Sequence, residues 1–486
     1  MTRWLTWLAA LAAVALLVLA GAALRGRRAV ARVALTSGST VSVLGATYGT
    51  NHLTPDRYPL ERRLPAPLRR GIERLARLGP PPADHQTTEP VLLLWLAIRP
   101  GLATNPPPSL WLYAMLEDAV GQPGGAQSSF PIFPASVPAV QTVEFKVFPR
   151  RGSECSLVLL QEVPGAINAG ARVLVGRLPV GLPARRVAPA WPMPAKPVVQ
   201  SAGGVEGTLE GFLNGVGNRP SDPSLPGGAT RIELERAPTN TSLSAAIGLR
   251  LRSTDGSTNR WTVGELFTAD AGGNALKSSS SSCGRVGERE GRLCFRWEPG
   301  LWPGEPWEIR LTAKREADAV FAPEELVQFR NVPLPAVGAT NHWGMESDAG
   351  VERGLTLPPA LLDRLGFGAG QSARLRLEAL ERRPPITGAS WASRNVTRLR
   401  LQATGWTNGL YLDLVRATDE RGREVSCGSS GFSGTAGGAE FSFMFRALPA
   451  DAQELNLVFA IHRGVPLTFR VDPGRAITNA WFSVKP

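Results

Sequence analysis

Three Asp-x-x-Gly tetrapeptides punctuate this chain, at Asp118–Gly121, Asp270–Gly273 and Asp419–Gly422, separated by 152 and 149 residues. Four residues recur by chance, so the weight falls on what surrounds them. Seven residues before each Asp stand Trp111, Val263 and Leu412, each inside an alternating apolar run. A Thr-Asn pair precedes each run, at Thr104-Asn105, Thr258-Asn259 and Thr407-Asn408, and a further apolar run lies before that. Downstream comes a stretch rich in Ser, Gly and Pro, then a period-two strand. It reads Val143, Phe145, Val147 in the first copy, Leu293, Phe295, Trp297 in the second and Phe441, Phe443, Phe445 in the third. A last alternating strand closes each copy around Leu157, Ile309 and Leu457. Such alternation buries one face of a strand and wets the other, the mark of antiparallel sheets.

With 486 residues, the chain has room for about three domains of roughly 150 residues. Its 52 glycines and 42 prolines favour short strands and turns over long helices. The expected fold is mainly β: an N-terminal transmembrane helix followed by three tandem antiparallel β-sandwich-like modules. The expected divisions are an anchor over 1–28, a β module over 30–177, a Pro-rich linker over 178–203, and further modules over 204–335 and 336–486. The linker's prolines resist helix and central strand alike. Two short helices are expected, one at 65–79 and one at 357–366. The second has Pro358 and Pro359 at its first turn and Gly366 at its stop.

Trp4 to Leu24 carries no charge, and 21 residues rising about 1.5 Å each can cross a hydrocarbon core of roughly 30 Å. An uncleaved anchor through residues 4–24 is expected, with cleavage after Ala22 as the rival. Four arginines follow it (Arg25, Arg27, Arg28, Arg32) and only Arg3 precedes it, which by itself would place the bulk in the cytoplasm. The turn-rich β character points the other way, and an extracytoplasmic location is expected. The formal charge of +12 is spread along the chain, not gathered with aromatics on one face, so no nucleic-acid partner is expected.

The carboxylates are the first candidates for chemistry. Asp419 and Glu420 form a pair, but the other copies put Ala119 and Ala271 at the second position and keep only Asp and Gly. A turn needs those two: an Asp that bonds nearby backbone N–H groups and a Gly able to take positive φ. Glu420 is then a solvent-exposed extra. The four histidines, His52, His85, His342 and His462, show no i, i+3 or i+4 pairing, and no Cys/His spacing suits zinc. Gly-x-Ser-x-Gly, a Walker loop and a dinucleotide glycine turn are all missing. No catalytic, metal or cofactor-binding residue is assigned, and a non-enzyme is expected. Cys283 and Cys294 could bridge their loop in an oxidising compartment, with unpaired thiols as the equal alternative, and the four cysteines, Cys155 and Cys427 included, do not decide the compartment. Trp302, Trp307 and Trp406 near turns raise a sugar-stacking alternative.

"TYGTNH" (47–52) and "FPRR" (148–151) resemble segments of a loose group of uncharacterised bacterial membrane-anchored proteins. The second and third copies lack an FPRR. The resemblance implies an envelope protein and brings no activity to any residue. The expected function is a membrane-anchored, non-enzymatic binding or scaffold protein of the envelope. Its protein or glycan partner would meet the long loops after each Asp-x-x-Gly. The alternative is an envelope carbohydrate-binding or carbohydrate-active protein.

Overall fold

The computed structural model describes residues 31–35, 38–52, 85–99, 110–132, 139–162, 172–183, 191–192, 199–216, 232–234, 244–256, 260–277, 284–285, 292–342, 354–382, 396–407, 409–435, 438–446, 448–449, 451–479 and 481–484. The first copy contributes β1 (Arg32–Ala34), β2 (Thr40–His52), β3 (His85–Arg99) and β4 (Leu110–Glu117). It continues with β5 (Pro123–Ile132), β6 (Ala139–Phe145), β7 (Glu154–Glu162) and β8 (Arg172–Gly181). The second opens with β9 (Val199–Ala202), β10 (Val205–Val216), β11 (Ile232–Leu234), β12 (Ser244–Ser253) and β13 (Trp261–Asp270). Then come β14 (Ala275–Lys277), β15 (Gly284–Arg285), β16 (Arg292–Pro299), β17 (Trp307–Arg315) and β18 (Leu326–Pro333). The third holds β19 (Thr340–His342), β20 (Gly354–Thr356), α1 (Pro359–Arg364), β21 (Arg374–Arg382), β22 (Val396–Thr404) and β23 (Leu410–Asp419). It ends with β24 (Cys427–Thr435), β25 (Gly438–Arg446), β26 (Glu454–Arg463), β27 (Val465–Val471) and β28 (Phe482–Val484).

The chain is mainly β, and apart from the short parallel pair β11–β28 the described sheets are antiparallel. Strand neighbours recur along it. β2-β3-β6, β10-β12-β16 and β21-β22-β25 each lie side by side, and so do β4-β7, β13-β17 and β23-β26. Each Asp-x-x-Gly therefore begins where β4, β13 or β23 ends.

The strand that follows β7, β17 or β26 breaks the pattern. β8 stays in its own copy against β7, but β18 leaves the second copy to pair with β26, and β27 leaves the third to pair with β17. Strand pairing thus crosses the expected division at 335/336 in both directions. The alternation in "VPLTFRV" marks a strand and is silent about its neighbour. After β27 the tail continues over the second copy. Phe482 is fully buried, and a Cβ added to Gly211 would stand 2.3 Å from its ring. Ile477 bridges to Phe212, whose ring meets Trp307 edge-on at 5.5 Å. Leu467, Phe469 and Val471 share one buried cluster with Trp307, Ile309 and with Leu157 and Phe148 of the first copy.

Other expectations shift locally. The Ser/Gly-rich stretches are not loops throughout: they hold β5, β15 and β24, because a neighbouring strand supplies the backbone bonds that composition does not favour. β8 runs into the expected linker, burying Leu178 and Val180. Pro179 fits there because β8 is an edge strand. Helix α1 forms with Pro358 as its N-cap, and Gly366 takes φ 73° beyond its end. The helix expected at 65–79 and the transmembrane segment at 4–24 lie outside the described residues, as do Arg25, Arg27 and Arg28. Among those described, no helix is long and apolar enough to cross a membrane.

Gly464 alone separates β26 from the exchanged β27, and an added Cβ would stand 2.3 Å from Thr312 Cγ2 and 2.7 Å from Tyr411. Gly464→Ala should cost roughly 1–3 kcal/mol through overpacking, read as a lower urea midpoint with the slope retained. An unchanged midpoint would show that the crossing tolerates a side chain.

Candidate functional site

The three Asp-x-x-Gly segments have one geometry. Gly121, Gly273 and Gly422 each donate their N–H to the carbonyl of the preceding Asp at 3.0 Å, with φ of 78°, 96° and 76°. In each, one carboxylate oxygen accepts the N–H four residues on, from Gln122, Asn274 or Arg423, at 2.8 Å. Side-chain acceptor and left-handed glycine are what such a turn requires. Glu420 is not a bare surface residue: its Oε2 accepts the N–H groups of Gln453 and Glu454 at 3.1 and 3.2 Å. Burial raises the Asp419 pKa, but bonds from Arg423 and from the Arg421 N–H outweigh it and hold the group below the usual range.

What differs between copies is the company each turn keeps. At the second turn, Asn274 reaches the FPRR segment. Its Oδ1 accepts from the Phe148 N–H (3.2 Å) and Arg150 Nε (2.7 Å), and its Nδ2 donates to the Phe148 carbonyl (3.0 Å) and Asp270 Oδ2 (2.7 Å). Arg150 also donates to the Tyr48 hydroxyl at 2.6 Å, with its guanidinium 5.0 and 4.7 Å from the Tyr48 and Phe148 ring centres. Arg151 donates to Glu305 and to the Ala271 carbonyl. Tyr48 and the FPRR segment, distant in sequence, thus meet on the second copy's turn. Sequence reasoning missed Asn274 because its partners Phe148 and Arg150 lie 126 and 124 residues away. A signal existed: Asn274 falls where the other copies have Gln122 and Arg423, and only the first copy has FPRR. A position that departs from its repeat can mark a contact between copies.

A second polar seam joins the second and third copies. Lys314 Nζ lies 2.9 Å from Asp413 Oδ1, and His462 Nε2 lies 2.9 Å from Asp413 Oδ2. The His462 side chain is fully buried, stacked on Tyr411 at 5.8 Å and tilted against Phe321 at 5.3 Å. The Tyr411 hydroxyl accepts the Glu265 N–H at 3.1 Å, and burial pushes its pKa up to about 12. Burial holds His462 below its ordinary value against the pull of Asp413. Burial also raises Asp413, but the bond from His462 and the charge of Lys314 outweigh it and keep its pKa low. A histidine–aspartate pair can serve a nucleophile, yet here, among the described residues, no group reaches His462 Nδ1 and the ring is fully buried. Nearby, Arg315 holds Glu325 with two bonds, 3.1 and 2.7 Å, and so anchors the turn that leads β18 across.

Of the remaining sequence candidates, His52 and His85 face each other across β2 and β3, with ring centres 6.3 Å apart. His52 Nδ1 pairs with Thr47 Oγ1 at 2.9 Å, and His85 Nε2 with Glu144 at 3.0 Å. His342 ends β19 opposite Ala379. Among the described residues, no three His, Cys, Asp or Glu gather to hold a metal. Cys155 is a buried thiol and Cys427 an exposed one; Cys283 lies outside the described residues. Trp302 and Trp307 are buried, and Trp406 packs on Phe441 while donating to the Leu410 carbonyl at 3.2 Å. No family model matches the chain, and no curated protein does. Among solved structures it is similar to the conserved domain protein from Bacillus anthracis, at 11% identity over 56% of this chain and 88% of that one, with a TM-score of 0.15. So loose a superposition carries no argument.

Asp270 gives the first seam a pH signature. Burial pushes its pKa up to about 6 against the bonds from Asn274. Since the folded value lies above the ordinary 3.8, the folded state holds this proton more tightly than the unfolded chain does. The group's contribution to stability is then full in acid and is lost as pH rises from about 4 to about 6. In urea unfolding, the stability of the native chain minus that of Asp270→Asn should fall by about 2–3 kcal/mol over that interval. A flat difference would contradict the assignment. Asn274→Ala should cost on the order of 2–4 kcal/mol by stranding Asp270 and the Phe148 backbone, measured the same way at pH 5. A loss near zero would mean that the seam does not depend on this amide.

Proposed function

We propose that this chain is a single-pass, membrane-anchored, non-enzymatic scaffold of the cell envelope, with three tandem β-sandwich modules held outside the cytoplasm by residues 4–24. One observation carries the reading: two clusters of ionisable side chains among the described residues bind one copy to the next. Arg150 and Arg151 hold the second copy's turn, and Lys314, Asp413 and His462 hold the third copy to the second. Polar contacts of this kind hold a junction in one geometry. A stiff chain of modules presents its loops at fixed spacing, and loops on rigid sandwiches are where binding concentrates. The uncharged stretch from Trp4 to Leu24 supports the anchor. The carbohydrate alternative loses its support from Trp302 and Trp307, whose rings are buried.

The binding segments expected from this reading are the connections after the turns, such as residues 133–138 and 278–283. Replacing both with Gly/Ser linkers of equal length in the full-length chain should abolish affinity capture of its envelope partner and leave the melting temperature unchanged. Capture that persists at the native level would contradict the reading. Specific glycan-array binding would favour the carbohydrate alternative.

A further inference from the structure

We infer that β24 is the surface through which two copies of this chain associate, edge to edge across a twofold axis. The inference begins with how the sheet edges are protected. An edge strand offers unpaired N–H and C=O groups, and folded proteins blunt it with shortness, charge, proline or bulges. Among the described residues, eight edge strands are four residues or shorter: β1, β9, β11, β14, β15, β19, β20 and β28. The longer ones carry a proline or a charge. β5 has Pro123 and Pro131, β6 has Glu144, and β8 has Arg177 and Pro179. β18 has Arg330 and Pro333, β23 has Asp413 and Arg416, and β27 has Pro466 and Arg470.

β24 departs from all of these. It is nine residues long, "CGSSGFSGT", with no charge and no proline. Its pairing with β25 is irregular only between Cys427 and Ser429 and runs straight from there to Thr435. Among the described residues no strand lies beside its outer edge, and Phe432 is 55% exposed. That ring lies 5.3 Å from Phe441, which meets Trp406 at 5.2 Å, so an aromatic row ends in the open at this edge.

Self-complementarity selects a second copy as the occupant. A twofold axis sets an edge strand antiparallel to itself, so each residue must accept its own mirror position. Read backwards about Gly431, β24 places Gly428 opposite Gly434, Ser429 opposite Ser433 and Ser430 opposite Phe432. Small residues meet small ones, and the one large side chain meets a serine. The two Phe432 residues share a face at diagonal positions, about 7–8 Å apart and within reach of aromatic side chains. Charge points the same way. At a formal +12, two copies repel over most approaches, and an uncharged strip offers the least resistance. Nine residues a side is well short of the roughly 20–30 of a standard interface, so the pairing is weak.

Sedimentation of the full-length chain in detergent across micromolar concentrations tests this. A monomer–dimer equilibrium is expected for the native chain. Ser430→Lys, which puts a charge on the edge, should weaken it at least tenfold, at about 1.4 kcal/mol per tenfold, with the melting temperature unchanged. Phe432→Lys provides a second variant should Ser430→Lys fold poorly. A native chain that stays monomeric would overturn the inference. So would a dimer that survives both substitutions, as one held through residues 4–24 would.

Discussion

The pairing of β27 with β17 is the contact on which the rest of this architecture depends. It completes a sheet of the second copy with a strand encoded after the third, while β18 makes the reverse journey to β26. Two copies joined by one linker could move apart. Two copies that have exchanged β18 and β27 cannot separate without breaking two ladders of backbone hydrogen bonds. The buried Lys314–Asp413–His462 contacts lie beside this crossing, and Gly464 occupies the point where the chain changes sheets with no space for a side chain.

The first junction is built differently. β8 stays at home against β7, and the first copy joins the second through side chains: Phe148 buried in the shared core, Arg150 and Arg151 reaching the second turn, Asn274 answering them. The same Asp-x-x-Gly turn thus serves different ends. Asp419 binds Arg423 within its own copy, and Asp270 is enclosed with Asn274 beneath an arginine from another. Enclosure raises the pKa of Asp270, and the arginine and backbone donors around Asp419 lower that of Asp419.

The sequence made much of this legible. Recurring Asp and Gly named the turns, and period-two runs such as Phe441, Phe443 and Phe445 named buried strand faces, because both depend on local geometry. Partner choice was not legible. Nothing in Val465 to Val471 distinguishes a strand for β26 from a strand for β17, and nothing in "CGSSGFSGT" favours a strand until β25 stands beside it. Asn274 and Tyr48 looked ordinary because their roles are set by residues more than a hundred positions away. The departures from the repeat, Asn274 at the turn and FPRR in one copy, were the visible trace of those contacts.

Hydrogen exchange on a chain ending at Gly464, compared with the full-length protein, tests the central claim most directly. Without β27, β28 and the tail between them, amides of β17, β10 and β12 in the second copy should lose protection, while β22, β23 and β26 in the third keep theirs. Loss confined to the third copy, with β17 still protected, would contradict the exchange of strands.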